Sequence, residues 1–404
     1  MNTQFVRIDL TADEDEQQIF DTINSLGVSL TTSELLKNYF FNRDTVAEYD
    51  AKWSSVFEKD EETKAYWDQE IETGRVRRAM IDIFFDAFFQ MFTQDKKYPI
   101  SSEDRISYNR LDRLALSYQH FINTYCNGDK SVVLDKLKPY ATRFQEIFRP
   151  EYCNMSIPAS GGIERLNIVI FGLKTTTLIP YILFLAQNVT DPNTLNKMYG
   201  ILESYMMRRM VVHASSKNYN RVVYSLILNA VKDPESLYVF LTKNEDASTY
   251  FPDDEELLNG FQHSRLTNLQ TRGILYLLES YVRPANTATT LFGFDGYSLE
   301  HLMPKKWRNN WSPCGTEELA RQRDIALLTL GNLAIIPQSL NASIRDGNWD
   351  VKLSGKGNKP GLKECAAGLS TMYDVLQKES WSENDIDLRA RWLFENAKKL
   401  WPLM

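Results

Sequence analysis

Apolar positions recur along this chain with two different periods. Phe5-Val-Arg-Ile-Asp-Leu10 alternates as a strand does, and the acidic run Asp13-Glu-Asp-Glu16 suits the first turn of a helix. That helix continues through Ile19, Phe20 and Ile23 to about Leu26, where Gly27 offers a left-handed stop. Thr31-Thr-Ser-Glu34 has the spacing of a capping box, and Leu35, Leu36, Tyr39 and Phe40 behind it form an apolar stripe at helical period. From Asp44 to about Val282 the pattern predicts helix after helix, most clearly over 77–92, 111–125, 163–187, 195–212, 220–231 and 270–281. Turn signals at Asn127-Gly, Pro158-Ala-Ser-Gly-Gly162 and Asp191-Pro separate them. The character changes near 286. Residues 287–299 are β-favouring and punctuated by glycine, 325–330 close a helix, and 333–336 form a short strand ended by Pro337. A helix is expected from Gln338, and a last one over 386–400, closed by Trp401-Pro402. The expected fold is mainly α: a helical region over 44–285, followed by an α+β domain over 286–404.

At 404 residues, two or three domains are expected. The composition, 43% hydrophobic and 25% charged, is that of a globular protein. Cys126, Cys153, Cys314 and Cys365 form no C-x-x-C pair, which argues against zinc ribbons and disulfide scaffolds and fits a reducing cytoplasm. No signal peptide is expected at Met1, because acidic residues come early and no apolar run follows. The most apolar stretch, 166–186, is interrupted by Lys174, three threonines and Pro180, so it is expected to be core rather than a membrane span. The net charge of −7 disfavours a nucleic-acid binder only when taken as a whole. Residues 286–404 carry 15 Lys and Arg against 14 Asp and Glu, leaving −8 on the rest. Binding to phosphates depends on local basic patches. Lys305, Lys306, Arg308, Arg345, Lys352, Lys356 and Lys359 supply candidates, although a solvated charged face explains any single one equally well.

The candidate chemistry lies in Glu300-His-Leu-Met-Pro304, Gly331-Asn332-Leu333 and Leu340-Asn341. Cutting a phosphodiester with one metal requires a base to activate water, hard oxygen donors for a divalent cation and a group to orient the base. His301 is the candidate base, Glu300 and Asn341 are candidate oxygen ligands for Mg²⁺ or Mn²⁺, and Asn332 is placed to orient the imidazole by a hydrogen bond. Adjacent strand residues face opposite ways, so Glu300 and His301 share a site only where their strand ends or bulges. The nine-residue step from Asn332 to Asn341 holds a strand, a turn and a first helical residue, as a ββα-metal (HNH) motif requires. Lys305, Lys306, Arg345 and Lys352 are the candidate DNA contacts. His213 is expected to be structural, as are Arg208 and Arg209, while Trp381, Trp392 and Trp401 are expected to pack the last helix.

Glu300-His-Leu-Met-Pro304, Leu330-Gly-Asn-Leu333, Ser339-Leu-Asn341 and Asn348-Trp-Asp-Val-Lys352 resemble the C-terminal nuclease domain of GmrSD-type restriction endonucleases. Trp381, Ile386, Arg389-Ala and Leu400-Trp-Pro402 resemble that family's tail, and Tyr205-Met-Met-Arg208-Arg209 resembles the helical region before it. Residues 19–38 resemble the end of the family's ParB-like nucleotide-hydrolysing domain, so 1–43 is expected to be its remnant. The resemblance implies a type IV-like DNA endonuclease of bacterial antiphage defence, acting on foreign or modified double-stranded DNA, with His301, Glu300, Asn332 and Asn341 in the roles above. The Asp-Gly-Gln-Gln-Arg nucleotide signature is missing upstream of Phe5. A C-terminal half without a nucleotide site is therefore expected, with a homo-oligomer or an NTPase subunit as candidate partners. A non-catalytic DNA-binding or regulatory module, or an RNA nuclease on the same ββα site, is the alternative.

Overall fold

The computed structural model describes residues 31–74, 76–243, 246–287, 289–338 and 346–403, without the side chain of Leu111. The strand expected over 5–10, the helix expected over 13–26 and the continuation past Gln338 of the helix expected there lie outside these residues. The described chain is mainly α, with two separate two-stranded sheets. The described residues divide into two compact units, those up to 69 with 79–89 and 98–138, and those over 70–78 and 90–97 with those from 139 onward.

The first unit is organised by aromatic packing. Helix α1 (Thr32–Phe40) starts at the expected capping box, with the Thr31 side chain accepting from Glu34 N and the Glu34 carboxylate accepting from Thr31 N. Its Leu36 and Phe40 are buried, Phe40 edge-on to Tyr118 of helix α3 (Leu114–Tyr125). Trp53 stacks on Phe85 of helix α2 (Met80–Thr93) with ring centroids 5.4 Å apart, and Phe57, Trp67 and Phe84 pack beside them. Rings of this size each remove a large apolar area from water, so a small unit gains a core from few residues. The helix expected from Arg77 begins three residues later. Arg77 and Arg78 instead lie on strand β2 (Val76–Ala79), which pairs with β1 (Glu70–Thr73), both in the second unit. Gly74, just past β1, takes a left-handed φ of +65°.

In the second unit, the single helix expected over 163–187 is broken. Helix Ile163–Asn167 runs into a wide turn at Ile168–Gly172, and a new helix, Ile179–Asn188, follows with Pro180 in its first turn. Lys174 breaks the path with a left-handed φ of +59°, which a helix interior cannot contain. The stretch is nevertheless core, as expected. Among the described residues no helix is long and apolar enough to cross a membrane. Helix α4 (Pro192–Val211) carries both expected structural arginines, fully buried. Arg208 binds the carbonyls of Trp401 and Pro252 and the carboxylate of Asp254, while Arg209 binds four oxygen partners between three tyrosine rings. His213 lies just past this helix, exposed and with φ of +55°.

The elements that carry the candidate site come next. Helices α5 (Asp254–His263) and α6 (Asn268–Val282) pack on the terminal helix α8 (Glu383–Leu400), and α6 also packs on strands β3 (Tyr297–His301) and β4 (Leu333–Pro337). The two strands pair in antiparallel register, with Glu300 opposite Ala334 and His301 opposite Leu333. A short helix α7 (Trp349–Ser354) follows, capped by the Asn348 side chain.

Candidate functional site

β3 ends at His301 because the next residues leave the ladder: Leu302 N still donates to Asn332 O, and Pro304 has no N–H to donate. No bulge interrupts the register, so alternation sends Glu300 and His301 to opposite faces. Glu300 is buried at 6% exposure and His301 is half-buried. The imidazole has no hydrogen-bond partner among the described residues. Burial, with help from the Lys305 and Lys352 ammonium groups, lowers its pKa to about 4, so the ring is neutral at physiological pH.

The surprise is Lys352. Expected to reach outward to a phosphate, it is fully buried, because α7 points it back under β3. Its Nζ donates to the Glu300 carboxylate and, at 2.6 Å, to His301 O. A side chain held in this way is not available to DNA. Burial pushes the Glu300 carboxyl up and the Lys352 ammonium down, and their mutual attraction opposes both shifts. Glu300 is an oxygen donor of the right hardness for Mg²⁺, but its charge is already matched by Lys352. Among the described residues no cluster of three His, Cys, Asp or Glu side chains is arranged to hold a metal. Asn341, the other expected ligand, and Arg345, an expected DNA contact, lie outside the described residues. Lys305 and Lys306 are exposed, and Arg308 is paired with Asp324 at 2.8 Å.

Asn332 departs from expectation in a different way. It is fully buried, and its amide makes four hydrogen bonds, none to the His301 ring. Nδ2 donates to Met303 O at 2.8 Å and Leu327 O at 3.0 Å, while Oδ1 accepts from Met303 N at 2.8 Å and Trp381 Nε1 at 3.1 Å. With both donors and both lone pairs engaged, this side chain fixes the backbone two residues past His301 rather than the imidazole itself. Spacing alone did not reveal two further residues that hold the same loop. Trp381 donates to Asn332 and stacks on Trp349 with centroids 5.5 Å apart. Arg389 Nη1 donates to the carbonyls of Leu330, Gly331 and Leu333. The pairing of Trp381 with Ile386-x-x-Arg389 in the tail was the available signal. Gly331 permits the close approach, since a Cβ there would lie 2.1 Å from Ile386 O.

The family model for the C-terminal domain of GmrSD restriction endonucleases matches residues 251–396. The C-terminal part of this chain is of the GmrSD type. The GmrSD-type match starts just before α5 and takes in α6, both strands, α7 and most of α8, so it covers every described element of the candidate site. No curated protein matches the chain.

Proposed function

We propose that the chain is a metal-dependent DNA endonuclease of the restriction type, hydrolysing phosphodiester bonds in foreign or modified double-stranded DNA with His301 as general base. The observation that carries this reading is the GmrSD-type match across the strand that ends at a half-buried, unpartnered and neutral imidazole. His301 takes the proton of the attacking water. Lys305 and Lys306, exposed just past the strand end, attract the DNA backbone. Glu300 and Asn341 would hold a Mg²⁺ or Mn²⁺ ion, which supplies charge neutralisation at the scissile phosphate. For Glu300 to take that part it must exchange Lys352 for the ion. Asn332, with Trp381, keeps Leu302 and Met303 fixed and thereby holds His301 in place.

The buried Lys352–Glu300 pair favours a second reading, in which this strand pair is a purely structural part of a DNA-binding or regulatory module. Incubating plasmid with the chain and Mg²⁺ or Mn²⁺, beside His301→Ala, separates the two. Nicking by the unmodified chain that falls by at least about 100-fold in the variant is the expected result. Equal nicking by both, or none by either, favours the structural reading.

A further inference from the structure

Directly after α7 the chain reverses through Lys356-Gly357-Asn358-Lys359 in a two-residue hairpin. Lys356 N donates to Lys359 O at 3.1 Å, and Lys359 N donates back to Lys356 O at 3.2 Å. Gly357 supplies a φ of +62°, the positive value that glycine favours at the first central position of such a turn. Gly355 and Gly361 close the base. A Cβ on Gly355 would lie 2.1 Å from Lys359 O, and one on Gly361 would lie 2.4 Å from Gly355 N. Only glycines let the two arms approach this closely, so the hairpin is shaped before it meets any partner.

This turn carries a charge arrangement that works against it. Two residues that exchange both backbone hydrogen bonds lie directly opposite each other, with Cβ atoms about 5 Å apart on one face. Lys356 and Lys359 are such a pair, and like charges in that position repel. Both are exposed, and neither makes an ion pair or a side-chain hydrogen bond among the described residues. Residues 351–363 hold four lysines and no acidic residue, so no local carboxylate relieves the pair. One glutamate in place of either lysine would turn repulsion into attraction. A preorganised turn that keeps the repulsion breaks a local rule, as functional positions do, and an anion of high charge density is what resolves it. The hairpin is also tied to the candidate site. Lys352, three residues before its base, donates from Nζ to His301 O at 2.6 Å and so fastens α7 to the end of β3.

We propose that this hairpin is a clamp for the phosphate backbone of double-stranded DNA, with Lys356 and Lys359 each neutralising a phosphate. A duplex presents about one negative charge per 1.7 Å of its axis, dense enough to hold two neighbouring ammonium groups side by side. Such contacts carry no sequence information; they set the duplex against the strand end that holds His301. The choice of duplex DNA as partner rests on the endonuclease reading, whereas the clamp itself needs no cleavage.

The test is fluorescence anisotropy of the full chain with a short labelled DNA duplex, without divalent metal so that nothing is cut, over about 50–200 mM NaCl. Each lost phosphate contact flattens the dependence of log K on log salt by about 0.9, so Lys356→Gln/Lys359→Gln is expected to lower the slope by about 1.8. Its binding is expected to weaken by at least about tenfold at the low-salt end, equally for unrelated sequences. Lys356→Arg/Lys359→Arg is expected to keep the slope. Lys217→Gln/Lys232→Gln, the same loss of charge at exposed sites elsewhere, is expected to leave it unchanged. Stability and binding are expected to part: Lys356→Glu forms a cross-strand ion pair, so its Tm holds or rises while its affinity for DNA falls. The clamp is overturned if the unmodified chain does not bind the duplex at low salt, or if the glutamine pair at 356 and 359 keeps its slope and affinity. It is equally overturned if Lys217→Gln/Lys232→Gln loses as much, or if the hairpin lysines matter for an RNA duplex and not for DNA. Plasmid nicking in Mg²⁺ is scored separately. A chain that binds through the hairpin and never nicks sinks the endonuclease reading alone, and one that nicks with its salt slope indifferent to these lysines sinks the clamp alone.

Discussion

An ammonium and a carboxylate buried against each other both lose their water, and each then depends on its partner. Glu300 and Lys352 are in that position. Removing one partner is therefore expected to cost about 3–5 kcal/mol, whereas replacing both with apolar residues of similar volume is expected to be far less harmful. Denaturant unfolding of Lys352→Met, Glu300→Gln and a Glu300→Leu/Lys352→Met double variant checks this: a double variant as unstable as the sum of the singles would contradict it. On the proposed reading, in which Glu300 holds the metal, the same pair governs metal binding. Under conditions where it stays folded, Lys352→Met is expected to bind Mn²⁺ at least about tenfold more tightly by calorimetry, since a competing positive charge next to the ligand has gone. Unchanged affinity would mean that Glu300 is not a ligand.

At the scale of elements, the turns and caps hold the site's supports in register. Gly331→Ala places a methyl group against the Ile386 carbonyl on α8, and is expected to destabilise the protein by about 1–3 kcal/mol, because backbone cannot yield as a side-chain tip can. Helix Pro234–Thr242 is capped by Asp233, whose carboxylate accepts from Ser236 N at 2.8 Å, and the cap hydrogen bonds hold its pKa below the usual carboxylate value. A depressed carboxylate stabilises the fold above its unfolded pKa, and that contribution disappears as the pH falls through the folded value. Asp233→Ala is thus expected to cost about 1 kcal/mol at pH 7 and progressively less below about pH 4. Melting curves at both pH values check it. Elements of this kind were legible in the sequence because their signals are local: the Thr31 cap, the Leu333 strand and the last helix appear where the residues place them. The break at Lys174 was not legible, because an apolar run with helical period looks the same whether or not one residue adopts positive φ. The inward turn of Lys352 was equally hidden. A lysine's direction is decided by the carboxylate it meets 52 residues away, not by its neighbours in sequence. Asn332 was found as a residue that matters, while its hydrogen-bond partners depend on Trp381, which spacing does not bring near.

Over the larger unit, one buried polar centre ties segments that are distant in sequence. Arg165 binds Glu203 through Nε and Nη2 and donates to Ser280 Oγ at 2.6 Å, and Trp401 Nε1 donates to the same Glu203 at 2.9 Å. Arg208 Nε donates to Trp401 O, and Ser204 Oγ to Pro402 O. Trp401 is fully buried, so Trp401→Ala is expected to cost about 3–5 kcal/mol, mainly through the void and in part through the lost hydrogen bond to Glu203, whose Oε1 keeps Arg165. Calorimetric unfolding measures the loss, and a change under about 1 kcal/mol would show that the tail merely rests on the surface.

The Glu203–Trp401 bond joins residues 198 positions apart. At translation rates of about 5–20 residues per second, Glu203 emerges about 10–40 s before the indole that completes its shell. Throughout that interval the nascent chain holds a charged centre that cannot close, and the strand ending at His301 emerges within it. The ribosome therefore presents the His301 imidazole on an unfinished support, and the buried centre is complete only once Trp401 arrives.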